Sequence, residues 1–75
     1  MTNDEKKIMT HLLHRKNKAD SVEIENAWEF ENFNAALSSL TKKGYVKKSE
    51  YIDKNKESYY CRLTQDGIKA LREVL

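Results

Sequence analysis

Proline is absent from this 75-residue chain, glycine occurs twice, cysteine once, and no apolar run is longer than three residues. Each scarcity excludes something. A β-sandwich or barrel needs Gly- and Pro-rich turns between its strands, so their near absence favours a mainly helical α+β domain. The single Cys61 cannot close an internal disulfide, and no Cys-x-x-Cys pair offers zinc or redox chemistry. The apolar runs fall far below the ~20 residues of a membrane span. The start, Met1-Thr2-Asn3-Asp4-Glu5, has no hydrophobic stretch behind a basic segment, so no signal peptide is read and a cytoplasmic protein without membrane contact is expected. There is no glycine-rich phosphate loop and no nucleophile beside a base at a recognised spacing, so the chain is not expected to be an enzyme. No cofactor or effector is indicated either.

Charge, by contrast, is plentiful and unevenly placed. Charged residues make up 35% of the chain and the net charge is only +2. Between positions 41 and 63, Lys42, Lys43, Lys47, Lys48, Lys54, Lys56 and Arg62 outnumber Glu50, Asp53 and Glu57. Between 17 and 40, Lys18 stands against Asp20, Glu23, Glu25, Glu29 and Glu31. A basic half beside an acidic half suggests one surface for a polyanion and an opposite, solvated one. The length suits a single domain over 1–75, with a core small enough to gain from a partner.

The apolar spacing predicts a first helix over 3–16, with Asn3 as its cap, Ile8, Leu12 and Leu13 buried, and Met9 at the edge. Residues 18–21 read as a short connection, with Asp20 and Glu23 spaced as a capping box and Ser21 a competing cap. A second, short helix runs to about Trp28 and buries some of Val22, Ile24, Ala27 and Trp28. After a turn at 29–32, Asn32 caps a third helix ending at Lys43. Its Phe33, Ala36, Leu37 and Leu40 follow the i, i+3, i+4, i+7 pattern of one buried face. Gly44 supplies the left-handed residue that stops it. Val46–Ile52 and Ser58–Leu63 have strand character and pair across a turn at 53–56. Thr64 caps a last helix, Gln65 to Leu75.

Two corners of this pattern, Leu37-x-x-Leu40-x-x-Lys43-Gly44-Tyr45-Val46 and Tyr60-x-x-Leu63-Thr64-x-x-Gly67-x-x-x-Leu71, resemble the winged helix-turn-helix domain of MarR- and PadR-like regulators. The small winged-helix proteins of archaea and their viruses are similar too. The resemblance spans roughly residues 5–75. It implies a three-helix core, a two-stranded hairpin wing and a C-terminal helix. It further implies a transcriptional regulator that binds double-stranded DNA with helix 32–43 in the major groove and wing 53–56 on the backbone or minor groove. Carried over by position, Asn34, Ala35, Ser38, Ser39 and Lys42 lie on the groove side, with Asn32, Lys43 and Lys47 beside them. Lys54 and Lys56 reach phosphates or the minor groove, and Ser21 offers a donor to a phosphate.

A homodimer is expected, with Ile68, Leu71, Val74 and Leu75 of the last helix as its first-choice contact and the first helix as its second. His11 and His14 lack the further ligands a metal site needs and read as exposed helix histidines. Cys61 reads as a small core residue, Trp28, Phe30 and Phe33 as packing between helices, and the hairpin tyrosines as braces of the sheet. The competing function is a protein-interaction module that uses the acidic 20–31 segment and the aromatic turn.

Overall fold

A computed structural model of the protein describes residues 1–53 and 58–74, the side chains of 50–53 excepted. The order is α1 (Asn3–His14), β1 (Lys18–Asp20), α2 (Ser21–Ala27), α3 (Phe33–Lys43), β2 (Val46–Asp53), β3 (Ser58–Leu63) and α4 (Gln65–Val74). This is a winged-helix fold, with the helices on one side of a small antiparallel sheet. Of the wing turn expected at 53–56, Asp53 is the last residue of β2, and residues 54–56, with Lys54 and Lys56, lie outside the described residues, as does Leu75.

α1 starts at Asn3 as expected, but its cap is Thr2, one residue earlier than the expected Asn3. Thr2 Oγ1 accepts from Glu5 N (3.2 Å), and Glu5 Oε1 accepts from Thr2 N (3.1 Å), a reciprocal box that Asn3 cannot form. The helix ends at Arg15, and the next two residues, Lys16 and Asn17, are left-handed at φ 58° and 69°. That double reversal turns the chain into β1. The stretch expected to be a plain connection is therefore a strand, pairing Lys18 with Arg62, Ala19 with Cys61 and Asp20 with Tyr60. Three residues are too few to display an alternating pattern, so only the partner strand reveals it. The sheet has three strands, in the order β1-β3-β2, where a two-stranded one was expected.

Asp20 does cap α2, accepting from Val22 N (2.8 Å). Of the four apolar residues expected to anchor this helix, only Ile24 is buried; Val22, Ala27 and Trp28 are exposed. α3 matches its expected face: Phe33, Ala36, Leu37 and Leu40 are all in the core. Asn32 Oδ1 accepts from Ala35 N (3.1 Å) at its start. At its end Gly44 N donates to Thr41 O (3.2 Å) and Tyr45 N to Leu40 O (3.0 Å), the paired bonds of a Schellman stop with Gly44 at φ 78°.

The centre of the domain is made by Ile8, Met9, Leu12, Ile24, Leu37, Leu40, Val46, Cys61 and Leu71, all fully buried. Met9 is thus central rather than marginal, and Leu13 is the exposed member of its helix. Cys61 is the core residue expected of it. Burial pushes its thiol up to about 12, Asp20 adding to the rise and Lys48 opposing it, which leaves it a small apolar group in practice.

The two corners that carried the family resemblance meet in space. Thr64 Oγ1 lies 2.7 Å from Gly44 O and 3.0 Å from Tyr45 O, sharing its hydrogen between them, and accepts from Gly67 N (3.1 Å). Thr64 N donates to Tyr45 O (3.0 Å). One threonine therefore ties the end of α3 to the start of α4. Gly67 is required there for closeness, since a Cβ would stand 2.3 Å from Tyr45 O.

Candidate nucleic-acid interface

The first turns of α1 aim α3. Asp4, nearly buried, accepts from Glu31 N (3.2 Å) and Asn32 N (2.9 Å), one carboxylate oxygen each. One turn on, Lys7 Nζ donates to Glu29 O (2.6 Å) and sits 5.9 Å from the Phe30 ring. The turn before α3 is thus held by side chains 22 to 28 residues away in sequence. Phe30 and Phe33 meet edge to face at 5.1 Å, closing the aromatic turn as packing.

α2 is joined to α1 by a second polar group. Trp28 Nε1 donates to His11 Nδ1 (3.0 Å), which leaves the ring proton on Nε2 to be donated to Glu23 Oε2 (2.7 Å). That hydrogen bond holds the Glu23 carboxyl below the usual range; partial burial opposes the shift and Arg15, 3.5 Å away, assists it. His11, at 8% exposure, is therefore a buried connector and not the exposed histidine expected, while His14 is exposed. Glu23 serves this network instead of the capping box its spacing suggested.

The exposed side of α3 divides into two stripes. Asn34, Ser38 and Lys42 form one, all exposed, and among the described residues the side chains of Asn34 and Lys42 have no hydrogen-bond or ionic partner. Ala35, Ser39 and Lys43 form the other, turned toward the N-terminus of α1. There, Glu5 (3% exposed) takes Lys43 Nζ at 3.0 Å and the Ser39 hydroxyl at 3.3 Å. Burial alone would raise the Glu5 carboxyl; hydrogen bonds from Thr2 and Lys43, with the lysine charge, outweigh it and leave it below its ordinary value. Asp4, Glu5, Glu31, Asn32, Ala35 and Ser39 line an acidic cleft of about 300 Å³.

The expected site residues are thus sorted. Asn34, Ser38 and Lys42 are presented outward together; Ala35, Ser39 and Lys43 border carboxylates. Asn32 uses its side chain as a cap. Ser21 is buried, accepting from Tyr59 N (3.3 Å), so it fastens α2 to the sheet and is not available to a phosphate. Lys47 is exposed on β2. In α4, Leu71 is fully buried in the monomer's own core, which removes it from the expected dimer contact; Ile68 is partly buried and Val74 is 43% exposed. No helix among the described residues is long and apolar enough to cross a membrane, and they contain no cluster of three or more metal-ligating side chains.

No family model matches the chain, and no curated protein matches it. Among solved structures it is similar to RosR of H. salinarum, at 25% sequence identity and a TM-score of 0.77, over 97% of this chain and 69% of that one. RosR is a haloarchaeal transcriptional regulator with a winged-helix fold.

Proposed function

We propose that the chain is a transcriptional regulator that binds double-stranded DNA by setting α3 in the major groove. The observation that carries this is the stripe Asn34–Ser38–Lys42, acid-free and outward-facing on the helix that the fold aims most firmly. The likeness to RosR supports a DNA-binding regulatory role in general. In this reading Asn34 and Ser38 face base edges, where Asn pairs with adenine and Ser bonds bases or phosphates. Lys42 and Lys47 meet phosphates, and Lys54 and Lys56 of the wing flank the groove. The acidic cleft on the other edge of α3 fixes which way the helix is rolled, since Glu31 and Asp4 turn phosphates away. The finer likeness to MarR- and PadR-type regulators, and a cytoplasmic location, belong to the same proposal.

Lys42→Glu should weaken binding to any duplex by about tenfold at low salt, since it replaces a phosphate-facing cation by an anion. Asn34→Ala should instead flatten sequence preference, measured by selection from random duplex DNA. A wild-type chain that shifts no duplex at micromolar concentration and low salt would sink the proposal. That result would favour the second reading, a protein-binding module, for which Trp28 (38% exposed) and the exposed Glu25, Glu29 and Glu31 are the supporting surface.

Two copies of α3 on a two-fold axis would read two half-sites. With Leu71 committed to the core, the dimer surface becomes Val74 and Ile68 with the exposed Leu13 of α1. Sedimentation of the chain is expected to show a concentration-dependent dimer that Val74→Asp dissociates; a monomer at every concentration would exclude it.

A further inference from the structure

The outer face of the sheet carries a row of cations of which the α3 proposal uses only Lys47. Lys18 on β1 stands opposite Arg62 on β3, and Arg62 stands opposite Lys47 on β2. Three cations therefore cross the three strands in register, all of them exposed. Among the described residues, none of the three forms an ion pair. Like charges directly opposite one another on a sheet are destabilising, so the row costs the fold something and is not explained by it. Lys18 is further positioned: its Nζ lies 4.3 Å from the centre of the Tyr60 ring, which holds the long side chain extended over the face. Together with Ser49, these residues line a shallow cleft of about 270 Å³ that shares no residue with α3.

The geometry points to a second phosphate-binding surface here, Lys18–Arg62–Lys47 braced by Tyr60, that takes the backbone of double-stranded DNA independently of α3. Naming DNA as the polyanion rests on the function proposed above. Charge complementarity argues for the occupant, and so does size. Three adjacent strands set a row of about 10 Å, which matches two to three phosphates at about 3.4 Å of helix rise each along one DNA strand. Cations set against phosphates position the duplex without reading it, so the contribution proposed for this row is sequence-independent. It would let one copy hold a longer stretch of duplex, or a second segment, than α3 and the wing alone.

The test compares salt dependence of binding to a short random-sequence duplex, followed by fluorescence anisotropy. It uses the full chain, a Lys18→Gln/Arg62→Gln double variant, Lys42→Gln, and all three substitutions together. Removing one cation from a phosphate reduces the slope of log affinity against log salt by about 0.9. The double variant is expected to fall by about two units of slope, Lys42→Gln by about one, and the triple variant by their sum, as for independent sites. The thermal midpoint of the double variant should be no lower than that of the wild type. If the wild type binds and the double variant keeps its full slope, the sheet surface is overturned while the α3 reading stands. If the wild type binds no duplex, both fall.

Discussion

Replacing Gly67 by alanine should lower the thermal midpoint of this domain by roughly 8–16 °C, the result of a net loss of about 2 kcal/mol. Helix propensity argues the opposite sign, because Gly→Ala inside a helix such as α4 ordinarily stabilises by about 1 kcal/mol. The added Cβ, however, would lie 2.3 Å from Tyr45 O and 2.8 Å from Leu63 Cδ1. The side chain of Leu63 can turn aside. The Tyr45 carbonyl cannot, because it accepts from Thr64 N and Thr64 Oγ1 and follows directly on the α3 stop. Relieving the clash means moving α4 away from the corner, at a cost of about 3 kcal/mol for overpacking, which exceeds the gain in propensity. Gly44→Ala makes the control. Nothing lies within 4 Å of a Cβ there and only the φ of 78° is unfavourable, so a destabilisation of about 1 kcal/mol is expected. Denaturant melts of the two variants should rank them in that order. Equal losses would mean that the corner gives way more easily than its hydrogen bonds suggest.

Substitution of Glu5 should separate stability from DNA affinity. In Glu5→Ala the Thr2 amide loses its acceptor, although Thr2 Oγ1 keeps the bond from the residue-5 amide, and the acceptor for Lys43 and Ser39 is lost as well. The lost bond to the Thr2 amide costs about 1 kcal/mol, and the bonds to the partly buried Ser39 and the exposed Lys43 add a similar amount, discounted because Lys43 regains water. About 2 kcal/mol of destabilisation is expected. Glu5→Gln retains an oxygen for the Thr2 amide and should lose about half as much. Both remove a buried negative charge from beside α3 and release Lys43, so duplex affinity at low salt should rise about threefold in each. Affinity unchanged in both variants would show that the charge of Glu5 does not reach a duplex bound along the Asn34–Ser38–Lys42 stripe.

The same carboxylate predicts an acid limb. Its folded pKa lies below the unfolded value of 4.5, so it contributes stability fully above pH 4.5 and loses that contribution as pH falls through the lower folded value. Urea midpoints measured downward from pH 5 should drop less steeply for Glu5→Gln than for the wild type. Parallel curves would show that Glu5 has no stronger partners in the folded state than in the unfolded one.

Residues whose role is set by near neighbours are legible in the sequence. Phe33, Ala36, Leu37 and Leu40 announce their buried face by spacing alone, Gly44 announces the stop, and Asp20, Asn32 and Thr64 announce their caps. The Thr2–Glu5 box is equally readable from its three-residue spacing, though Asn3 competes for the assignment. The site is less legible. Asn34 and Ala35 are both polar-side positions of α3, yet one faces outward and the other faces an acidic cleft. What separates them is the packing of α1, which no pattern within α3 encodes.

Sequence by itself determined the helices of this domain, their stops, the strand character of the hairpin and the winged-helix order. Helical periodicity, capping and a left-handed glycine are all decided within a few residues of chain. Tertiary structure alone decided the rest. It made a strand of Lys18–Asp20, buried His11 between Trp28 and Glu23, withdrew Ser21 and Leu71 from the surface, and set Glu5 against Lys43. It also brought Lys18, Arg62 and Lys47 into one row. Each of these depends on partners a dozen to more than forty residues apart, and at that distance the sequence states which charges and hydrogen-bonding groups exist but not which of them will meet.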